Sequence, residues 1–360
     1  MRQVTTISAL MLGLTLGSAA HAEGILSDAV RGGVTGEIVW HDGSGGLTTR
    51  AREATIMKSF GEETGATVRS DYNSDMTKFF AAMDSGATIP WSMVEFPTKG
   101  DFLRAEQAGY LEKLDPAIVD TSLLAEGSHD EYGVDVMNYG ILLTFNTEAF
   151  AGKEAPTSMA DLYDTAKFPG KRCLFNYPQF GGVLESALLA DGVAKDKLYP
   201  LDLDRAFAKL DTIKSDIVWW SNGDDAVRLL ASGECSMGIA WSGRVFGAVV
   251  NDKAPLKPIW DGSLYAQAVY AVPKGAPNAA AGQALIQYWL ADVEGQKNFV
   301  AQIPYTTNLK ALGADAYGAD LAAWLPAGDN LKGAVQEDAD YYLKNLTDVV
   351  DRFNRWVALN

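Results

Sequence analysis

The stretch 217–244 reads IVWWSNGDDAVRLLASGECSMGIAWSGR, with two strand-like segments on either side of one helix-like segment. The β-branched and aromatic residues that end in Trp219 and Trp220 predict the first strand. Turn and N-cap residues from Ser221 onwards, followed by two acids, predict the start of the helix. A second buried strand ends at Trp241. Two strands therefore bring tryptophans to one edge of a sheet, with a helix N-terminus between them.

This edge of the sheet predicts a ligand site. In open α/β sheets, ligands bind at the carboxyl ends of the strands. We interpret the edge as a site with aromatic walls, and the alternative for each tryptophan is a place in the core. Because side chains alternate along a strand, Trp219 and Trp220 point to opposite faces, and we expect only one of them to face a ligand.

The first 22 residues are typical of a secretory signal peptide. Arg2 precedes an apolar run at positions 7–16, and Ala20-His21-Ala22 matches an A-x-A cleavage site. The run is too short to span a bilayer as a permanent helix. We therefore expect a periplasmic protein whose mature chain begins at Glu23.

The length and charge of the chain limit the class of protein. The mature chain is longer than one hydrophobic core usually supports, so two domains are expected. The formal net charge is −16 at pH 7, and loss of Arg2 with the signal peptide makes it −17. An acidic surface argues against nucleic acid and anionic membranes as partners, and it is compatible with a cationic ligand.

Cys173 and Cys235 are the two cysteines of the chain, and both fall in predicted strands. Export makes a disulfide the expected state of a lone pair, with two buried free thiols as the alternative. Neither cysteine has a second Cys or a His nearby, so we predict no zinc site.

The N-terminal part of the mature chain predicts a βαβ unit. Residues 38–40 form a short strand, residues 48–62 have helical apolar spacing, and residues 66–70 form the next strand. The glycine-rich loop at residues 41–46 lacks the lysine of a P-loop, so we assign no nucleotide and no other cofactor. Strands and helices continue to alternate, which predicts an α/β fold with a mostly parallel sheet.

Two extended runs predict crossings between the domains. The run 138–146 leads from the first domain into the second, and the run 265–272 leads back. The expected division is a signal peptide at 1–22, a first lobe at 23–138 plus 270–325, a second lobe at 139–269, and a helical tail at 326–360 that packs on the body.

Six segments, in this order along the chain, resemble the bacterial extracellular solute-binding proteins of ABC importers, and most of all the spermidine/putrescine-binding branch. They are EIVWHD (37–42), FGEETGATV (60–68), LYDTAKFPGKRCLF (162–175), LLASGECSMGIAWSGRVF (229–246), YAVPKGAPN (270–278) and PYTTNLKAL (304–312). The resemblance implies a type II periplasmic-binding-protein fold, in which two α/β lobes joined by hinge strands close over a ligand. It also implies a monomer that delivers its ligand to a membrane permease and its ATPase.

The ligand is harder to predict than the fold. The polyamine branch combines aromatic walls with several carboxylates, and Trp40 and Trp241 match the walls. The acids match poorly, because Tyr177 follows the CLFN strand and YAQA, which begins at Tyr265, stands in the hinge strand. The acids that remain near strand ends are Asp42, Glu95 and Asp224.

The shortage of acids favours a methylated cation over a polyamine. A primary ammonium group has three N–H donors that need acceptors on burial, whereas a quaternary ammonium or sulfonium group has none. Such a cation is stabilised by aromatic faces. If it is zwitterionic, as glycine betaine and dimethylsulfoniopropionate are, the N–H groups after Ser221 or the side chain of Arg244 would bind its carboxylate.

The candidate ligand-binding residues are of three kinds: aromatic side chains, acids and anion donors. They are Trp40, Tyr177, Trp219, Trp220, Trp241 and Tyr265; Asp42 and Glu95; and Ser221 and Arg244.

Three other functions compete with this one. An enzyme is disfavoured because His41 and His129 stand in no catalytic or metal-binding pattern and no G-x-S-x-G motif is present. A ferric-ion binder of the same fold would need tyrosines clustered at the cleft, whereas the adjacent Tyr341 and Tyr342 lie in the tail. A sensor without a transport role is the third alternative.

Overall fold

The computed structural model describes residues 24–73 and 76–359. The predicted signal peptide therefore lies outside the described residues. None of the helices in the described part combines the length and the apolar character needed to cross a membrane.

The strands belong to one mixed sheet. In chain order they are β1 (Glu37–Asp42), β2 (Thr67–Tyr72), β3 (Met93–Phe96), β4 (Gly133–Asn146), β5 (Arg172–Phe175), β6 (Ile217–Trp220), β7 (Met237–Trp241), β8 (Leu256–Ala271) and β9 (Val335–Gln336). Their order across the sheet is β2-β1-β3-β8-β4-β7-β5-β6, and β9 pairs with β8.

Two groups of parallel strands flank two long antiparallel strands. We call β2, β1 and β3 the first half of the sheet, and β7, β5 and β6 the second half. Between them run β4 and β8, which pair with each other along most of their length and with one half each. The predicted extended runs 138–146 and 265–272 are parts of longer strands, because β4 begins at Gly133 and β8 begins at Leu256.

The helices cover the sheet. They are α1 (Asp28–Gly32), α2 (Gly46–Ala54), α3 (Ile56–Thr64), α4 (Thr77–Ser85), α5 (Lys99–Gln107), α6 (Val183–Ala190), α7 (Leu203–Asp211), α8 (Gly223–Ala231), α9 (Ser242–Phe246), α10 (Ala279–Ala291), α11 (Val293–Gln302), α12 (Gly318–Ala322) and α13 (Ala339–Ala358). This two-lobed α/β arrangement is the predicted type II fold.

The stretch 217–244 folds as predicted, as strand β6, helix α8 and strand β7. Within the turn, Asn222 is the N-cap of α8, because its side-chain oxygen accepts a hydrogen bond from the backbone N–H of Asp225 at 2.9 Å. The predicted disulfide between Cys173 and Cys235 is present, with 5.7 Å between the Cα atoms, and it ties β5 to the segment that enters β7.

The tail helix α13 packs on the second half of the sheet. Trp219 lies edge-on to Phe353 at 5.8 Å and to Trp356 at 6.3 Å between ring centroids. Phe207 of α7 stacks on Trp356 at 5.6 Å. Trp219 therefore faces the tail helix, and Trp220, on the opposite face of β6, is buried.

Candidate ligand site

A small cavity opens where strand ends from both halves of the sheet meet. The first half contributes the loop after β1, the start of α2 and the residue after β3. The second half contributes the end of β7, helix α9 and the loop before α6, while β4 and β8 form the floor. The lining residues are Gly43, Ser44, Thr48, Pro97, Met137, Tyr139, Phe180, Trp241, Arg244, Ala268 and Tyr305. We call this the central cavity.

Four aromatic side chains, which we call the aromatic wall, line much of the central cavity. Phe180 and Trp241 stack with their ring centroids 5.8 Å apart and 22° between planes. Tyr139 lies edge-on to Trp241 at 6.5 Å and lies 5.9 Å from Tyr305. The indole N–H of Trp241 donates to the backbone oxygen of Phe180 at 2.9 Å. The four rings give the central cavity an aromatic lining, and aromatic faces of this kind can stabilise a cation.

Arg244 places a cationic group beside the aromatic wall, although only 3% of its surface is exposed. Its Nη2 donates to the backbone oxygens of Ser44 at 3.1 Å and Gly45 at 2.7 Å. These two hydrogen bonds connect the second half of the molecule to the first. Its Nε lies 3.4 Å from Asp224 Oδ1. Its Nη1 is buried and has no hydrogen-bond partner among the described residues. Because an unpaired buried donor is costly, this atom is suited to bind an anionic ligand group.

Two glycines make this placement of Arg244 and Trp241 feasible. A Cβ atom at Gly223 would lie 2.6 Å from Trp241 Cε3 and 2.9 Å from Arg244 Cγ, so any side chain there would displace both. Gly45 has φ of 63°, a left-handed conformation that turns the loop so that its carbonyl oxygen accepts from Arg244.

Two of the predicted acids belong to a buried ion-pair cluster of Asp42, Arg52 and Glu95, beside the central cavity. Arg52 Nη1 lies 3.1 Å from Asp42 Oδ1 and 2.7 Å from Glu95 Oε2. Burial acts to raise the pKa of Asp42, but the adjacent Arg52 guanidinium keeps that pKa below its usual value. Burial raises the pKa of Glu95 above its usual value, although Arg52 opposes the rise. Neither carboxyl group is among the lining groups of the central cavity.

Trp40 is associated with the ion-pair cluster and does not line the central cavity. Only 1% of its surface is exposed. The Arg52 guanidinium lies over the Trp40 ring at 4.8 Å, and Tyr270 lies edge-on to that ring at 4.8 Å. In this structure, Trp40 therefore stabilises a buried charge of the protein itself.

Among the other predicted site residues, Trp241 and Arg244 line the central cavity. Trp220 lies behind the aromatic wall, edge-on to Trp241 at 5.1 Å. Tyr177 lines a separate groove between α5 and α13, Tyr265 donates through its hydroxyl to Gln336, and Ser221 is exposed. Whether any predicted residue binds ligand stays a prediction.

Tyr139, Phe180 and Tyr305 line the central cavity and were not predicted as site residues. Each lay in a segment that the sequence singled out for another reason: the crossing strand, the loop after the CLFN strand and the PYTTN turn. What the sequence does not reveal is that β4 pairs with β7 at Trp241 and bridges from Asn138 to Thr306, and that Phe180 O accepts from Trp241, so that the three residues come together.

Known proteins support the identification of this fold. The family model described as bacterial extracellular solute-binding protein matches residues 55–327. A γ-aminobutyric acid-binding protein from Pseudomonas aeruginosa is 35% identical over 87% of this chain and 89% of its own.

Two solved structures share the fold over nearly their whole length. A γ-aminobutyric acid receptor structure is 34% identical, covers 90% of this chain and 98% of its own, and has a TM-score of 0.78. The binding protein AgtB from A. tumefaciens, in complex with agropinic acid, is 25% identical, covers 90% and 99%, and has a TM-score of 0.81.

Proposed function

Because the chain belongs to the family of bacterial extracellular solute-binding proteins, we propose that it captures a small zwitterionic solute and delivers it to an ABC permease. The location would be the periplasm, and the partners would be a permease and its ATPase. The predicted division into lobes at 139 and 270, and the monomeric state, are parts of this proposal.

The observation that carries the proposal is the unpartnered Nη1 of Arg244 beside the aromatic wall. A ligand carboxylate would accept a charge-assisted hydrogen bond from this atom. The cationic end of the ligand would lie against the ring faces of the aromatic wall. The lining residues in the described part include no Asp or Glu, and a polyamine would need such acids at each end.

Two ligand classes fit these groups, and γ-aminobutyrate is our first candidate. It has a carboxylate at one end and a primary ammonium group at the other. Hydroxyl groups of Ser44, Tyr139 and Tyr305 lie among the lining residues and offer acceptors to that ammonium group. Two relatives that are named for γ-aminobutyric acid support this choice. Methylated zwitterions such as glycine betaine and dimethylsulfoniopropionate are the second candidate, because their cations need only the aromatic faces.

The ferric-ion and sensor alternatives receive less support. The Tyr342 hydroxyl lies 3.1 Å from Pro178 O and 2.5 Å from Glu185 Oε1, away from the central cavity. The two tyrosines that do line this cavity, Tyr139 and Tyr305, have no acid beside them among its lining residues in the described part. Permease and ATPase genes beside the gene for this chain would distinguish an importer from a sensor.

A thermal-shift and calorimetry screen of the mature protein tests the proposal. The ligands are γ-aminobutyrate, glycine betaine, dimethylsulfoniopropionate, putrescine and spermidine. A ligand at about 100 times its Kd stabilises the folded state by about 2.7 kcal/mol, which raises Tm by a few degrees. We expect this from zwitterions and not from polyamines. A response to putrescine or spermidine alone would overturn the assignment of Arg244 to a ligand carboxylate.

A further inference from the structure

Phe180 of the aromatic wall has a backbone conformation that its surroundings must maintain. Its φ is 42°, in the left-handed region that residues other than glycine rarely adopt. Both of its backbone polar groups have partners: the oxygen accepts from Trp241 Nε1 at 2.9 Å, and the N–H donates to Glu337 Oε2 at 2.8 Å. The carboxyl group of Glu337 therefore helps to hold Phe180 where its ring stacks on Trp241.

Glu337 reaches the aromatic wall from the tail of the chain. It lies between β9 and α13, and its backbone N–H donates to Tyr265 O of β8 at 2.9 Å. The side chain of Gln179 lies between Glu337 and the first half of the sheet, with its Nε2 3.4 Å from Glu337 Oε1 and 3.0 Å from Thr98 Oγ1. Thr98 caps α5 directly after Pro97, which lines the central cavity. One carboxyl group thus connects the tail, the Phe180 loop and the first half.

We propose that Glu337 is a positioning residue for ligand binding, whose carboxyl group fixes Phe180 and Trp241 in the arrangement that a ligand needs. The proposal rests on the proposed function as a solute-binding protein, but Glu337 itself lines no part of the central cavity. Its effect on a ligand is transmitted through the Phe180 backbone.

The surroundings of Glu337 make this contact depend on pH. Burial, with the Glu185 carboxyl of α6 adding to it, raises the pKa of Glu337 to about 8. The titratable groups that interact with Glu337 come from several elements: Glu185, Asp101 of α5, Tyr139 of β4, Tyr342 of α13, and Tyr199. Burial also raises the pKa of Glu185 above its usual value, so a second buried acid lies near Glu337.

The sign of the pH dependence follows from this raised pKa. In a state where the tail releases Phe180 and Glu337 is hydrated, its pKa would return to the ordinary value for glutamate, about 4.3. At a pH between about 4.3 and 8, Glu337 is deprotonated in the released state and protonated in the state in which it contacts Phe180. Rising pH therefore favours release, and ligand affinity should fall from pH 6 to pH 8 and level off above pH 8.

Three variants test the role of Glu337 in binding. Calorimetry with the solute that responds in the screen gives Kd between pH 6 and pH 9. We expect Glu337→Ala to raise Kd about tenfold at pH 6, because the Phe180 N–H loses its acceptor. Glu337→Gln retains an acceptor and should keep Kd at pH 6 within about twofold while removing the rise in Kd towards pH 8. Asp340→Asn, which removes an exposed charge at the start of the same helix, should behave as the wild type.

A measurement without ligand separates this proposal from the identity of the solute. The indole N–H of Trp241, assigned through Trp241→Phe, reports its hydrogen bond to Phe180 O in ¹H–¹⁵N spectra. Its chemical shift should titrate with a midpoint near pH 8 in the wild type and stay constant in Glu337→Gln. The proposal would be overturned if the indole shift titrated equally in the wild type and in Glu337→Gln, or if Glu337→Ala left Kd unchanged. If no solute in the screen binds but the indole signal titrates only in the wild type, the positioning role stands and the ligand assignment fails.

Discussion

Arg52 in the first half of the molecule and Arg244 in the second half are both almost fully buried, with 0% and 3% of their surface exposed. They differ in what surrounds the guanidinium group. Arg52 has two carboxylates and the face of Trp40 as partners. Arg244 has two backbone oxygens from the opposite half and one carboxylate, that of the half-exposed Asp224 at 3.4 Å from its Nε, and its Nη1 has no partner among the described residues.

This difference separates a structural charge from one that is available to a ligand. A buried arginine that is held by two carboxylates cannot be removed without leaving those charges buried and unpaired, which destabilises the fold. A buried donor beside a cavity, without a partner of its own, gains most when a ligand supplies one. The two halves also differ in how their strands are tied, because the ion-pair cluster joins β1 to β3 whereas a disulfide joins β5 to the start of β7.

The comparison is tested most severely by removing Arg52. Arg52→Met leaves Asp42 and Glu95 buried without a counter-charge, so the free energy of unfolding should fall by about 3–5 kcal/mol. Urea denaturation measures this. Arg50→Ala, which removes an exposed arginine from the same helix, should change stability by less than about 0.5 kcal/mol. Equal effects of the two substitutions would show that the burial and ion pairing of Arg52 do not stabilise the fold.

The disulfide should matter to the second half in a similar way. Replacing Cys173 and Cys235 together by alanine removes a cross-link between positions 62 residues apart. The free energy of unfolding should fall by about 2–4 kcal/mol, again measured in urea. A fall below about 1 kcal/mol would mean that the packing of β5 and β7 alone maintains this half.

Arg244 should affect binding more than folding. Arg244→Ala removes the donor for a ligand carboxylate, and a charge-assisted hydrogen bond of about 1.5–3 kcal/mol corresponds to an increase in Kd of about 10–150-fold. Calorimetry with the solute from the screen measures it. Arg228→Ala, an exposed arginine on α8, is the matched control and should leave Kd unchanged. If the two variants bind equally well, Arg244 does not bind the ligand.

The most gradual expected effect is a dependence of stability on acid pH that originates in the first half. His41 is buried against Trp91 with a centroid distance of 4.8 Å, and burial lowers the pKa of its imidazole to about 4. The unfolded chain takes up this proton near pH 6.5, so stability falls as pH drops from about 6.5 to 4, by at most about 1.4 kcal/mol per pH unit. Urea midpoints across this range measure the fall. They should respond less steeply to pH in His41→Phe than in His129→Gln, in which the replaced histidine is exposed.

The sequence predicted the order of elements and the disulfide because both depend on local pattern. Periodicity identifies β6, α8 and β7 directly, and export identifies the cysteine pair. The same reasoning placed Trp241 and Arg244 at a strand end, where the central cavity lies.

The contacts within the site were less predictable because they depend on partners distant in sequence. Nothing near Glu95 indicates that Arg52, 43 residues earlier, pairs with it. For the same reason Asp42 and Trp40, adjacent to the expected site, could not be distinguished from lining residues. Tyr139, Phe180 and Tyr305 come together through the pairing of β4 with β7, the bridge between Asn138 and Thr306, and the hydrogen bond from Trp241 to Phe180.

The path of β8 has a consequence for the order in which the protein assembles. Strands β5, β6 and β7 all fall within residues 172–241, so a chain emerging from its N-terminus has the second half's parallel strands available together. The strands of the first half are available earlier still, but one edge of β3 has no partner until β8 is available, because β3 pairs with β8 through partners such as Phe96 and Val269. Such distant pairings have a high contact order and form slowly. Until residue 271 is available, the edge of β3 stays open to other chains, which makes this edge the point most exposed to aggregation during folding.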